Sequence, residues 1–415
     1  MSTASTAPAP STTPVKSQRL MSLDALRGFD MFWIIGADAI VRALDRMGDN
    51  PLTKLLATQL THKDWAGFAF YDLIFPLFLF IAGVSMVFSL TKEFAEHGQG
   101  GACQRVIRRG LLLVIIGIFY SGGFSNEWPN MRLLGVLQRI GLAYMFGGLL
   151  FIFLKPRALV AACAGILVGY WALMTFVPIR DIQLDKTTLE PMAKAAGTTN
   201  SPAFARTTFE NTTARTTGKF DKGYNLSNHV DYQYLPGKKY DTYYDPEGIL
   251  STIPAIATCL LGAFAGLLLQ SANFCNKWKL IYLISIGTAC VIVGFLWGLQ
   301  FPVVKKLWTS SFVLVAGGYA AILLAGFYWV VDVLNCRSWC QPFVWIGTNS
   351  ITIYLANNII GFRKLADRFV GGDIRNYLDT HLAKGLGEMV LAMTGIGIGV
   401  LLVWFLHRKK IFLRL

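Results

Sequence analysis

Chemistry in this sequence is concentrated at His62 and Asp72, ten positions apart in HKDWAGFAFYD, where a polar loop runs into a long apolar stretch. A neutral imidazole, ordinarily titrating near 6.5, takes a proton from an ammonium nucleophile or itself attacks a thioester. A carboxylate nearby would orient that ring. A lone loop histidine is more often a surface residue, but Trp65, Gly67 and Asp72 crowd this one. No Ser or Cys nucleophile has comparable surroundings, and the G-x-S-x-G, P-loop and H-E-x-x-H patterns are missing from the sequence.

Other polar groups fall inside apolar stretches, where they are costly and usually paired or functional. Asp30 and Asp38 share one stretch, about 12 Å and roughly 80° apart if it is helical, so both can face one cavity. Asp38 can equally pair with Arg42 one turn on. Gln138 and Arg139 lie together in another stretch, and Arg139 either snorkels outward or neutralises Asp72 or Asp38. Asp245 and Glu247 precede a further stretch, as holders of an acceptor ammonium or as helix caps. Asn349 either lines the cavity or bonds a neighbouring helix. Trp65 is a candidate substrate contact beside His62. Cys336 and Cys340 form at most half a metal site, with no His or second pair close by, so no metal is expected.

The elements that must position these groups are membrane-length. The 415 residues are 54% hydrophobic and only 15% charged, with a mean hydropathy of +0.47, far more apolar than a soluble domain. Ten stretches are long enough to cross a bilayer as helix, near 28–44, 70–91, 107–124, 133–154, 158–177, 249–270, 280–298, 308–331, 342–361 and 386–406. The fold class expected is all-α, a polytopic membrane protein of about ten transmembrane helices with one larger external cap at 178–248. Residues 1–20 read as a disordered cytoplasmic tail without a signal peptide. Spans one to five with the catalytic loop would occupy 21–177, and spans six to ten 249–415.

An even number of spans puts both termini on one side, and the basic runs at 105–109 and 408–410 make that side cytoplasmic. The His62 loop and the Tyr-rich cap then lie outside, where tyrosines suit either sugar faces or an aromatic belt. The net charge of +14 is scattered between spans, which argues against nucleic acid. The cysteines fall in spans and cytoplasmic loops, implying no disulfide framework.

Five blocks resemble the transmembrane acyltransferase family that includes the lysosomal heparan-α-glucosaminide N-acetyltransferase and bacterial relatives: SLDALRGFDMFWI at 22–34, His62 to Trp65 leading into DLIFPLFLFIAGVS at 72–85, RLLGVLQRIGLAY at 132–144, YDPEGILSTIPAI at 244–256 and IGTNSITIY at 346–354. They occur in the family's order. The resemblance implies an enzyme that takes acetyl groups from cytoplasmic acetyl-CoA and delivers them to an amino sugar or oligosaccharide across the membrane. It implies a central role for His62. Asp38 and Ala66 stand where the lysosomal member has asparagines, a departure that bears on the acceptor. A bacterial inner-membrane location and a homodimer follow from the resemblance alone.

Acetyl-CoA carries several phosphate charges, so its nucleotide end should sit among cytoplasmic cations. Arg105, Arg108 and Arg109 are the candidates, with Arg139 and Gln138 deeper; the same arginines are also what membrane topology alone requires. Asp38 or Asp72 would orient His62. The rival functions are a transporter of N-acetylglucosamine or its oligomers, with the carboxylates as a proton relay, and a scaffold with a degenerate site.

Overall fold

The computed structural model describes residues 20–48, 50–198 and 201–413, apart from the side chains of residues 37 and 38. Residues 1–19 of the expected tail, and the side chain of Asp38, therefore lie outside the described residues. The described residues are 74% helical and 2% strand.

Helix α1 spans Met21–Arg46. A short α2, Pro51–Gln59, starts on Asn50, whose side chain accepts from the Leu52 amide, with Pro51 at the first helical position. Helix α3, Phe70–Tyr120, covers two of the expected spans without an intervening loop. Its single non-helical residue is Gly98, at φ 66°. Arg105 nevertheless pairs with Glu93, a partner that a straight helix would hold about 18 Å away. Met86 and Val106 also flank the same residue, Gly148. The chain thus folds back at Gly98 into two helical arms, and glycine is what permits the left-handed φ at the turn.

Helices α4 (Val136–Phe153) and α5 (Pro156–Phe176) follow. After α5 comes a small folded segment. It pairs β1 (Ile179–Arg180), across α6 (Lys186–Ala195) and α7 (Ser201–Asn211), antiparallel with β2 (Arg215–Thr216), and ends in α8 (Leu226–Tyr234). Its own core gathers Ile182, Leu184, Leu189, Phe209, Tyr243 and Tyr244, with Trp65 packed against it. Helices α9 (Thr252–Gln270), α10 (Asn276–Trp297) and α11 (Ser310–Phe327) come next, the last continued by a π-helical stretch, Tyr328–Val333. Then come α12 (Gln341–Thr348), α13 (Ser350–Ile360), α14 (Phe362–Val370), α15 (Gly372–Tyr377) and α16 (Leu386–Arg408).

Among the described residues seven helices are long and apolar enough to cross a membrane: α3, α4, α5, α9, α10, α11 with its continuation, and α16. The protein is an integral membrane protein by this measure. The expected stretches at 28–44 and 342–361 do not stand as uniform apolar helices. The first lies in α1, which carries Asp24, Arg27, Asp30, Asp38, Arg42, Asp45 and Arg46. The second breaks at Asn349 into α12 and α13.

Apolar burial drives little helix association where the surroundings are themselves apolar, so close backbone approach has to do more of the work. α3 packs mainly on α4 and α9, and α1 on α12. At the α3–α9 crossing a Cβ on Gly83 would lie 2.0 Å from the Cys259 carbonyl oxygen, and one on Gly262 2.0 Å from that of Phe80. Gly28 and Gly347 make the same reciprocal contact between α1 and α12, at 1.7 and 1.9 Å. These crossings fix where the first half of α3 and α1 stand, and so where the site forms.

Candidate active site

Asp72 is the third residue of α3, and its Oδ2 accepts from the Ala69 amide at 3.1 Å, closing the first turn. The same oxygen accepts from the Lys63 amide at 3.3 Å. Its other oxygen, Oδ1, stands 2.9 Å from His62 Nδ1. One carboxylate therefore caps the helix, ties down the preceding loop and orients the imidazole. His62 also stacks on Tyr71, with ring centroids 4.4 Å apart and planes 16° apart. Its side chain remains 50% exposed, whereas Asp72 is buried.

Lys305, from the α10–α11 connection, joins this pair. Its Nζ is 3.0 Å from His62 Nδ1, 3.3 Å from Nε2 and 3.7 Å from Asp72 Oδ1. Burial pulls the Lys305 ammonium down from 10.5 to about 8, against the attraction of Asp72. That loop is held on the His62 loop by the Gly67 amide, which donates to the Val303 carbonyl at 2.9 Å. The sequence reading missed Lys305 as a site residue. Its one signal is the Lys305–Lys306 pair in a short connection between apolar helices.

A cavity of about 230 Å³ opens from this cluster. Its wall includes His62, Lys305, Glu247 and Tyr71, and otherwise the apolar Met31, Ile34, Ile74, Phe75, Phe78, Val136, Leu137, Ile140 and Ile351 with Tyr354. A second cavity, of about 260 Å³, is bordered by Arg27, Arg105, Arg109, Tyr144, Thr348 and Ser350. The two share four walls, Phe78, Leu137, Ile140 and Ile351. A third, polar hollow of about 400 Å³ beside α2 has His62, Asp45, Thr58, Thr61 and Lys63 in its wall. His62 thus faces an apolar cavity on one side and a polar one on the other.

The remaining candidates are placed as follows. Arg105 and Arg109 border the basic cavity, Arg105 paired with Glu93 and Arg109 stacked 4.7 Å from the Tyr144 ring. Arg108 is not in its wall. Arg27, not among the expected CoA contacts, is in that wall, and its Nη2 donates to Ser85 Oγ at 2.6 Å.

Several expectations need correction. Arg139 neither snorkels nor meets Asp72: it is 1% exposed, donates to the Pro246 carbonyl and to Ser251 Oγ, and stacks 4.8 Å from the Trp308 ring. A buried guanidinium needs such partners, and the chain before α9 supplies them. Gln138 borders neither cavity; its Oε1 points at Gly117 and Gly135. Asp245 has no capacity left for an acceptor ammonium, because it takes Arg132 at 2.7 and 3.0 Å and the Tyr240 and Glu247 amides at 3.0 Å. These two carboxylates outweigh the effect of burial on Arg132, whose pKa lies above its ordinary value. Glu247 shares Arg132 at 2.7 Å but also faces the His62 cavity. Trp65 points away from the cavity, its Nε1 donating to the Phe220 carbonyl at 2.7 Å. Asn349 is buried at the α12–α13 break with neither amide atom partnered among the described residues, and borders neither cavity. Asp30 is wholly buried in α1, also without a hydrogen bond among them. No group of three or more His, Cys, Asp or Glu fit to hold a metal occurs among the described residues.

A histidine held by a carboxylate and flanked by a lysine, in the wall of an apolar cavity within a bundle of apolar helices, defines a membrane protein with an acid–base centre. Residues 19–196 match the family model described as heparan-alpha-glucosaminide N-acetyltransferase, catalytic. The chain is 28% identical over 389 residues to the mouse heparan-alpha-glucosaminide N-acetyltransferase, and 29% over 387 residues to the human one. Each alignment covers 85% of this chain, which spans 56% and 55% of those relatives. These matches support a heparan-alpha-glucosaminide N-acetyltransferase-like family member.

Proposed function

We propose that the protein transfers an acetyl group from acetyl-CoA to the amino group of a glucosamine-type sugar, with donor and acceptor entering from opposite sides of the membrane. The observation that carries this reading is the pair of adjoining cavities, basic at one end and bearing His62 at the other. The phosphates of CoA match Arg27, Arg105 and Arg109. The uncharged pantetheine arm suits the apolar walls that the cavities share, which leads its thioester toward His62.

The chemistry then divides between three groups. With Nδ1 directed to Asp72, His62 offers Nε2 to the acceptor. The amine attacks the thioester carbonyl, Nε2 takes the amine proton, and the C–S bond breaks as the amide forms. Lys305, with its pKa near 8, is matched to a leaving thiol that ordinarily titrates near 8.5. Its ammonium gives the departing sulfur a proton, so the products are an N-acetyl sugar and free CoA.

The topology that suits this route counts the two arms of α3 separately and takes α1 and the α12–α13 pair as crossings, giving ten. Both termini and the Gly98 turn lie on the cytoplasmic side, and residues 178–248 cover the outer mouth as a cap. For a bacterial chain the membrane is the inner one.

His62→Ala in purified, monodisperse protein should abolish transfer of label from acetyl-CoA to glucosamine while leaving acetyl-CoA binding intact. Retention of wild-type turnover by that variant would remove the histidine from the mechanism.

A further inference from the structure

Where α1 ends and α16 begins, four arginines converge on one acid. Glu388 is 1% exposed, and Arg363 Nη2 stands 2.5 Å from its Oε1. Arg46 Nη1 lies 3.4 Å from Oε2, Arg42 Nε 3.8 Å from Oε1 and Arg375 Nη1 4.0 Å from Oε2. Four guanidinium groups present about twenty N–H donors, whereas one carboxylate accepts at about four positions. Arg363 Nη1 is buried with no hydrogen-bond partner among the described residues. Asp379 is taken by the Gly387 amide, to which its Oδ1 is 2.7 Å distant. The four arginine side chains stay between 33% and 55% exposed, so their outer faces remain open.

The helices carrying two of these arginines have the character of membrane-surface elements. In α14, Arg363, Lys364 and Arg368 alternate with Phe362, Leu365 and Phe369 at helical spacing. Phe369, Ile374, Tyr377 and Leu382 are exposed along α14, α15 and the turn that follows. Short amphipathic helices with cations beside exposed apolar side chains lie along the headgroup boundary.

We infer that the cluster of Arg42, Arg46, Arg363 and Arg375 binds the phosphate of an anionic lipid headgroup, with the apolar residues of α14 and α15 against its glycerol and upper acyl chains. Guanidinium forks fit phosphate oxygens in pairs, which a zwitterionic headgroup with its own cation satisfies less well. Glu388 orients the arginines and competes with the phosphate for them.

Native mass spectrometry of the full chain, titrated with phosphatidylglycerol and phosphatidylcholine, tests the site. Wild-type protein should retain phosphatidylglycerol about tenfold more strongly, and Arg375→Gln or Arg42→Gln/Arg46→Gln should erase most of that preference. Glu388→Gln should strengthen it, because it frees the arginines; a purely structural role for Glu388 predicts a weaker preference or loss of the folded species. Equal retention of both lipids by the wild type would overturn the proposal, as would an unchanged preference in monodisperse Arg375→Gln. Displacement of phosphatidylglycerol by millimolar inorganic phosphate, with equal thermal stabilisation by phosphate alone, would refute the lipid in favour of a free anion.

Discussion

Replacing Lys305 with methionine removes a charge that the folded protein holds at a cost. The ammonium drops from 10.5 to about 8 on burial, which at about 1.4 kcal/mol per unit amounts to about 3 kcal/mol. That figure already includes the attraction of Asp72, 3.7 Å away. In the unfolded chain the lysine keeps its proton up to about pH 10.5, and in the folded chain only to about pH 8. The penalty is therefore fully present below pH 8 and is relieved as the pH rises from 8 toward 10.5. Lys305→Met should accordingly be more stable than the wild type at pH 7, with the advantage fading above pH 8. The same variant lacks the proton donor for the thiolate, so kcat should fall about 10²–10⁴-fold. Thermal melts at pH 7 and 9.5, with single-turnover transfer from labelled acetyl-CoA, read both quantities on one preparation. Wild-type transfer should decline on the alkaline side with a midpoint near pH 8, and Lys305→Arg should move that midpoint upward. A Lys305→Met enzyme that turns over within a few-fold of wild type refutes the donor role. One clearly less stable than wild type at pH 7 refutes the energetic argument.

Arg109→Gln should raise the KM for acetyl-CoA about tenfold with kcat nearly unchanged, since its guanidinium borders the basic cavity, whose wall does not include His62; a selective fall in kcat would contradict that placement. Gly83→Val would push a side chain into the Cys259 carbonyl, 2.0 Å from the first added atom. It should cost at least about 3 kcal/mol, seen as a lower melting temperature or loss of a monodisperse species. Asp231, buried in α8, has its carboxyl raised to about 7 by burial. The unfolded chain ionises it near 4, so folding loses stability as the pH rises from 4 to 7. Asp231→Asn should stabilise the protein by about 4 kcal/mol at pH 8 and make no difference at pH 4, by paired melts.

Apolar runs were easy to read because their length alone separates them from soluble helices, and most become single helices here. Residues 92–106 were harder. They carry loop-like charge, yet the backbone stays helical except at Gly98, because one left-handed glycine reverses the chain. Charge spacing along α1 and the polar run at Thr348–Ser350 disturb the other two stretches. Within the site, His62 and Asp72 could be linked from sequence because the acid falls in the first turn of the helix that the histidine loop enters. Lys305 is 243 positions from His62, in a loop whose place depends on the Gly67–Val303 backbone pairing, and no periodicity reports that. Arg139 and Asp245 were misread for one reason. Arg139 was expected to snorkel or to meet an aspartate, and Asp245 to hold an acceptor or cap a helix; each instead has its charged or polar side-chain partner more than a hundred residues away, Ser251 for Arg139 and Arg132 for Asp245.

The common wall of Phe78, Leu137, Ile140 and Ile351 makes the two cavities neighbours without making them one compartment. A partition built of these shared apolar side chains can yield to a slender uncharged arm through rotamer changes. A hydrated sugar or ion would have to shed its water to follow, with nothing in that wall to replace it. On the proposed route such a septum would sort traffic by solvation, letting a reactive group reach across while the solutions on either side stay apart.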